Sequence, residues 1–441
     1  KGSVAQLKRI AMGVAVCLAT PLVLVSCGGG GGGGSSSEPN FNVEPLGTQS
    51  LSIPEVNDIV ARAVQASISR NVQSTIAVTD RVGNVLAVYR MTNSSPSVII
   101  TSGLSGANGR GLDGFTPVPS ELAAIAKAIT GAYLSSTGNA FSTRTASQIV
   151  QEFFQPGETG QPSGPLYGVQ FSQLPCSDLN VWLSQNATIG PKRSPLGLSA
   201  DPGGFPIYQE GRVVGGIGVI ASTDAGTQGV YGLDRDILTN EVDLEEEIAF
   251  AALPEAFRAP AQIRANRITA NGQTFQFSNT TPAVAGAAAL AGNGNFVAVT
   301  GYKTAAGVIA GTSYGTSQSG YVATTAPAFN GLDTFTLITN PADNTSVRFP
   351  PTAGANLTQA EVQNILVEGM KIANRARAQI RIPLGAAAQV TVSVVDTTGQ
   401  VLGLVRSSDA PIFGTDVAVQ KARSALAFSS ADALTDFRSI G

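Results

Sequence analysis

The sequence repeats one phrase: VTDRVGNVLAVYRM at Val78–Met91 returns as VVDTTGQVLGLVRS at Val394–Ser407. Six of the fourteen positions are identical across a separation of 316 residues. The identical pairs are Val78/Val394, Asp80/Asp396, Gly83/Gly399, Val85/Val401, Leu86/Leu402 and Arg90/Arg406. In each copy a glycine separates two apolar runs, which is typical of two strands joined by a tight turn. The phrase therefore predicts one β-hairpin that the chain uses twice.

A capped helix precedes each hairpin, beginning at LSIPEVNDIV in the first copy and at LTQAEVQNIL in the second. Both starts hold a capping box, Ser52 with Glu55 and Thr358 with Glu361. In such a box the hydroxyl and the glutamate satisfy the first backbone amides of the helix reciprocally. Apolar residues at helical spacing follow, so we expect an amphipathic helix before each hairpin.

A second helix follows each hairpin, because Glu121–Ser136 aligns with Thr415–Ser430 and sets Lys127 against Lys421. Lysines are rarely buried, so we interpret both as part of a solvated helix face. In the first copy only, Asp201–Ser222 adds another hairpin with a glycine-spaced strand. These glycines lack the GxxxxGK[ST] spacing of a phosphate loop, and we interpret them as positions of close backbone packing.

These pieces resemble the GlcG/HbpS-like heme-binding domain family. The resemblance rests on the capped helix, VTDRVGNVLAVYRM, the Lys-Ala helix and PGGFPIYQEGRVVGGIGV. It implies two profilin-like domains, each an antiparallel sheet flanked by helices, and such domains often form oligomers. Without it, the pattern of elements supports only an α+β fold with an antiparallel sheet.

Comparison of the two copies divides the chain into five segments. They are a signal peptide (1–27), a Gly/Ser-rich tether (28–50), a complete repeat with a long insert (51–253), a β-rich connecting region (254–351) and a partial repeat (352–441). We expect the complete repeat to fold alone. The partial repeat lacks the final hairpin, so we expect an open edge on its sheet. A chain that continues, another chain or the connecting region could supply the missing strands.

The first 27 residues have the order of a bacterial lipoprotein signal. Lys1, Lys8 and Arg9 precede an apolar run of 16 residues, which is too short to span a membrane and is followed by LVSC. This ending resembles a lipobox, which implies lipid attachment at Cys27; a plain signal peptide is the alternative. Seven glycines follow as a flexible tether. We expect a protein of the bacterial cell envelope. The resemblance to lipoprotein signals implies that its anchor lies in the outer membrane.

Composition restricts the chemistry. The chain contains no histidine, which excludes Ser-His-Asp and Cys-His catalysis and histidine-ligated zinc or heme. A net charge of -3 with only 27 Lys and Arg gives no basic patch for nucleic acid. With Cys17 in the signal and Cys27 lipidated, Cys176 is left without a disulfide partner, and we interpret it as a small buried apolar residue.

Candidate ligand-binding residues lie in the long insert and beside it. FSTRTA and GPKRSPLG place Thr143, Arg144, Lys192 and Arg193 on predicted loops, where arginine forks match carboxylates such as heme propionates. Ordinary surface cations that cap helices or bridge the insert are the alternative. Tyr133 joins these residues as a candidate cofactor contact. The candidate axial ligands are Tyr133, Tyr167, Tyr208, Met91 and Cys176.

One acidic segment, Tyr231–Phe250, leaves two interpretations open. Its carboxylates could bind a calcium ion, although their spacing is not that of an EF-hand. Alternatively, Glu245–Glu247 form the acidic first turn of a helix.

Three functions remain after these exclusions. The resemblance implies an envelope lipoprotein that binds heme or a related tetrapyrrole and assembles with copies of itself. The alternative is a non-enzymatic structural or interaction lipoprotein that binds a protein partner or a small metabolite. A heme-degrading enzyme is the weakest of the three, because the chain has no histidine to move protons.

Overall fold

The computed structural model describes residues 47–103, 111–155, 160, 162–174, 177, 189–222, 228–235, 239–433 and 435. The signal segment with Cys27, most of the tether, and Cys176 lie outside these residues. Among the described residues, no helix has both the length and the apolarity needed to cross a bilayer.

Helices and short strands alternate along the described chain. The helices are α1 (Ile53–Ser69), α2 (Ser120–Leu134), α3 (Thr143–Ile149), α4 (Leu244–Ala251), α5 (Gln359–Arg375) and α6 (Gly414–Ser429). The strands before the connecting region are β1 (Gln73–Asp80), β2 (Val85–Met91), β3 (Ser97–Thr101), β4 (Val118–Pro119), β5 (Gly204–Gln209), β6 (Arg212–Ser222) and β7 (Gly229–Gly232). The later strands are β8 (Thr269–Ala270), β9 (Gln273–Thr274), β10 (Gly294–Phe296), β11 (Tyr321–Ala323), β12 (Phe335–Asn340), β13 (Asp343–Val347), β14 (Thr391–Val395) and β15 (Val401–Arg406).

This arrangement confirms an α+β fold with antiparallel sheets. One pair departs from that description, since β3 and β7 run parallel with Ile99 opposite Val230. Both predicted capping boxes are present, at the starts of α1 and α5.

The repeated hairpins match residue by residue. β1 pairs with β2 and β14 pairs with β15, and each pair carries its irregularity at the aligned position, Val78/Thr79 or Val394/Val395. The shared aspartate explains the turn. Asp80 Oδ1 accepts hydrogen bonds from two backbone amides of its turn, at 3.1 and 2.9 Å, and Asp396 Oδ1 does the same at 2.8 and 3.0 Å. Gly83 and Gly399 then adopt positive φ angles of 84° and 81°, which glycine tolerates without strain.

The first sheet has the strand order β10-β2-β1-β6-β5. β6 pairs along the whole of β1, and α2 crosses β6 at close range. A Cβ at Gly216 or Gly218 would lie 2.1 Å from the carbonyl oxygen of Ala128 or Ala124. Only glycine therefore fits at these two positions, which confirms the interpretation of the glycine-spaced strand as a close-packing element.

The second sheet has the order β11-β12-β15-β14, with β13 beside β12. The connecting region thus contributes β10 to the first sheet and β11 and β12 to the second, in both cases on the side of the second hairpin strand. Within the described chain, β14 pairs with β15 alone. As far as the structure describes the chain, the sheet of the second repeat accordingly has an open edge where β6 lies in the first.

The core of the first repeat extends past Leu253. Phe277, in the connecting region, is buried with its ring 5.4 Å from that of Phe205 and 6.1 Å from that of Phe250. An ion pair of 2.8 Å between the nearly buried side chains of Arg81 and Asp409 also links the two repeats. The expectation that 51–253 folds alone stays a prediction, but such a fragment would lack Phe277 and β10.

Replacing Phe277 with Ala should lower the free energy of unfolding by about 3–5 kcal/mol, because a buried aromatic ring is lost from the first core. Val284→Ala, at a 37% exposed position of the same region, is the control and should change it by no more than about 0.5 kcal/mol. Denaturant unfolding followed by circular dichroism measures both. Equal stability of the two variants would show that the connecting region is not part of this core.

Candidate functional site

Lys127 lies at the centre of a buried ionic network in the first repeat. Its ammonium group donates a hydrogen bond to the carbonyl oxygen of Pro202 at 2.6 Å, contacts Asp201 Oδ2 at 2.6 Å and forms an ion pair with Glu245. The side chain of Lys127 is fully buried. The prediction of a solvated lysine was therefore wrong here, because the segment that begins at Asp201 and the helix α4 cover this face of α2. Lys421, the aligned lysine, is exposed as expected.

The network holds two carboxyl groups in a poorly solvated place. Burial raises the pKa of Glu245 to about 8 and that of Asp201 to about 6, and the charge of Lys127 only partly opposes these shifts. Burial also disfavours the charge of Lys127, but Asp201 and Glu245 outweigh it and raise its pKa above the usual value. The lysine therefore stays protonated, and the carboxyl groups are the members that titrate near neutral pH.

A cavity of about 470 Å³ lies beside this network. Asp201, Asp243 and Glu245 line it together with apolar side chains such as Val72 and Val242. Asp243 is the N-cap of α4, and its Oδ1 accepts a hydrogen bond from the amide of Glu246 at 2.9 Å. This confirms the interpretation of the glutamates as a helical first turn. Once Asp201 and Glu245 are ionised, three carboxylates and one lysine give the cavity a negative wall that suits a ligand with positive charge.

Arg144 belongs to a second buried network. Its guanidinium contacts Glu246 Oε1 at 2.9 Å and Asp234 Oδ2 at 2.5 Å. Thr143 Oγ1 accepts a hydrogen bond from the amide of Gly204 at 2.9 Å. Both residues lie in the helix α3 and are buried, so the prediction that they occupy a loop was wrong. The local cause is Ser142, which caps this helix through the amide of Thr145.

Lys192 and Arg193 lie on a loop, as predicted, and the first contacts Tyr133. The hydroxyl of Tyr133 accepts a hydrogen bond from the amide of Lys192 at 2.7 Å and lies 2.8 Å from the carbonyl oxygen of Val82. Burial lowers the pKa of the Lys192 ammonium to about 8. The Arg193 guanidinium stacks 5.3 Å above the ring of Tyr302.

The five predicted cofactor contacts thus fall into two groups, Thr143 with Arg144 and Tyr133 with Lys192 and Arg193. Arg144 is already paired with two protein carboxylates, and the Tyr133 hydroxyl is held by backbone groups. Among the candidate axial ligands, Tyr208 is buried and Met91 nearly so, whereas Tyr167 is 51% exposed. The assignment of these side chains to a cofactor stays a prediction. Within the described ranges, no three His, Cys, Asp or Glu side chains form a group that could hold a metal ion.

Sequence reasoning missed the pairing of Lys127 with Asp201 and Glu245. Glu245 lies 118 residues after Lys127, and no spacing pattern connects positions so far apart. The one available signal was the asymmetry between the repeats, because Asp201 stands before the hairpin that only the first repeat has.

Comparisons with known proteins give no family assignment. No family model matches the chain, and neither does any curated protein. One similar solved structure is the Klebsiella pneumoniae protein ORFY, described with the family-model DUF336. It has 18% identity and a TM-score of 0.26 over 47% of this chain and 92% of that chain. Another is a PduOC:heme complex, with 18% identity and a TM-score of 0.25 over 46% of this chain and 96% of that chain. Neither likeness is strong enough to assign a ligand.

Replacing Lys127 with Met should lower the free energy of unfolding by about 3–5 kcal/mol at pH 8, because two buried carboxylates lose their counter-ion. The raised carboxyl pKa values set the sign of the pH effect: both groups become protonated as the pH falls through 8 and 6, so the penalty should shrink at pH 5.

Lys421→Met is the matched control for this change, since the aligned lysine is exposed. It should alter the free energy of unfolding by no more than about 0.5 kcal/mol at either pH. Denaturant unfolding at pH 5 and pH 8 measures both variants. A pH-independent effect of Lys127→Met would contradict the buried ionic network.

Proposed function

We propose that this chain is a non-catalytic binding protein whose first repeat takes a small, positively charged ligand in the cavity beside Lys127. The observation that supports the proposal is the composition of the cavity wall. Asp201, Asp243 and Glu245 line the cavity, and among the described residues Lys127 is the single cation paired with Asp201 and Glu245. A ligand cation would compensate the carboxylate charge that Lys127 leaves unbalanced.

Ligand affinity should depend on pH. At pH 6 the raised pKa of Glu245 keeps this carboxyl largely protonated, and the wall carries less negative charge. As the pH rises towards 8 the carboxyl groups ionise, and attraction for a cation increases. Ligand binding and proton release are thus coupled at one site.

Putrescine, a small diamine, is a suitable probe, with uncharged 1,4-butanediol as its matched control. Calorimetric titration of the full chain should show saturable binding of putrescine that tightens from pH 6 to pH 8, and none of the diol. Asp243→Asn should weaken binding, because the charge is removed while asparagine still caps α4. Glu241→Gln, an exposed acid outside the cavity lining, should leave affinity unchanged. No saturable heat up to millimolar putrescine, or equal affinity in both variants, would overturn the proposal.

Heme or a related tetrapyrrole is the second candidate ligand, and the repeated phrase and the glycine-spaced hairpin support it through their resemblance to the GlcG/HbpS-like family. The same resemblance also implies profilin-like domains and assembly of the chain with further copies of itself. The propionates of heme would be repelled by the acidic cavity, so binding would require another surface, such as that around the exposed Tyr167. Titration with hemin tests heme as the ligand. A saturable Soret shift that Tyr167→Phe abolishes would support heme binding, and no Soret shift at micromolar protein would contradict it.

We also propose that the protein lies in the bacterial cell envelope, where a lipid on Cys27 anchors it in the outer membrane. It is supported by the basic, apolar and small-residue order of the first 27 residues. Cys27→Ser should release the protein from the membrane fraction, whereas Cys176→Ser should not.

A further inference from the structure

The edge of β14 is the first of three features that set the second repeat apart from the first. In the first repeat, β1 pairs with β2 on one side and with β6 on the other. In the second, β14 pairs with β15, and no other described strand or backbone group bonds to its far edge. Its burial is also incomplete, since only Val394 of its residues is buried. An unpaired strand edge is a template for another strand.

A flank of small residues on α6 borders this edge. In the first repeat, the carbonyl groups of Ala124 and Ala128 on α2 meet the glycines of β6. The aligned positions on α6 are again alanines, Ala418 and Ala422, and both are only partly buried. Beyond them the helix is exposed, including Phe428 at 70%. The helix therefore keeps the surface that receives a glycine strand in the first repeat.

Lys421 supplies the third feature. Its counterpart Lys127 is buried against Asp201, which lies just before the β5–β6 hairpin. Lys421 is exposed on the same flank of small residues. A hairpin could pack on this flank in the way that β5 and β6 pack on α2. An acidic residue just before that hairpin would then contact Lys421, as Asp201 contacts Lys127.

We infer that the second repeat is an acceptor for one kind of β-hairpin, with glycines at alternate positions of one strand and an acidic residue before the hairpin. The strand would run antiparallel to β14, against Ala418 and Ala422. By alignment with the Ile76–Val219 pair of the first repeat, the residue in the place of Val219 would lie opposite Val392. This inference does not depend on the ligand of the first repeat.

A second copy of the same edge fits this surface poorly. β14 carries Thr391 and Ser393 at alternate positions, on the face where Thr391 approaches Gly414 of α6. Side chains of this size would collide with a partner helix at the distances that Gly216 and Gly218 require.

The test uses a fluorescein-labelled peptide with the sequence Asp201–Ser222, added to the full chain and followed by anisotropy. Saturable binding is expected, and hydrogen exchange of the Thr391–Val395 amides should slow when the peptide is bound. A peptide with Gly216→Val and Gly218→Val should not bind. Failure of the original peptide to bind overturns the inference, as does protection at β1 instead of β14.

Variants of the chain locate the site. Ala422→Leu should abolish binding by filling the flank, whereas Ser424→Leu, on the opposite exposed side of α6, should not. Lys421→Glu should weaken binding about tenfold or more through repulsion of the peptide carboxylate, and Lys421→Arg should retain it. Unchanged affinity in Ala422→Leu, or sedimentation showing that the chain alone pairs through this edge, overturns the inference. Circular dichroism confirms that each variant is folded.

Discussion

The close contact between α2 and the glycines of β6 is the constraint on which the first repeat depends. Because Gly216 and Gly218 have no side chains, β6 can lie directly beneath the helix backbone while it pairs along all of β1. The residues before the hairpin then cover Lys127, and α4 closes over it with Glu245. The ionic network and the acidic cavity follow from this one packing arrangement.

The second repeat shows what the same local sequence does without that hairpin. Its capped helix, its hairpin and the turn at Asp396 reproduce those of the first repeat closely. The second half of its second helix is nevertheless mostly exposed, and its lysine is exposed as well. The connecting region supplies strands to both sheets, but only beside β2 and β15. One repeat therefore buries its lysine beside a cavity, and the described part of the other presents a strand edge.

Local features of the fold could be predicted from sequence because each depends on neighbouring residues. A hydroxyl three positions before a glutamate specifies a capped helix, and an aspartate before a glycine specifies the repeated turn. The short hairpin of β8 and β9 follows the same kind of local rule, since Asn271 and Gly272 form its turn and both adopt positive φ.

The site could not be predicted because its contacts join distant segments. Arg144 was expected on a loop, and its partners Asp234 and Glu246 lie 90 and 102 residues away. Periodicity shows that a face will be covered, but not which distant segment covers it. The burial of Lys127 and the entry of Phe277 into the first core are both consequences of such coverage.

Hydrogen exchange measured by mass spectrometry on the full chain tests the central claim, that equivalent strands are enclosed in one repeat and open in the other. Amides of β1 (Gln73–Asp80) should exchange only through global unfolding, because both edges of this strand are paired. Amides of β14 should exchange faster by about a hundredfold or more, through local opening at the free edge. Equal protection of β1 and β14 in a monomeric chain would contradict the account.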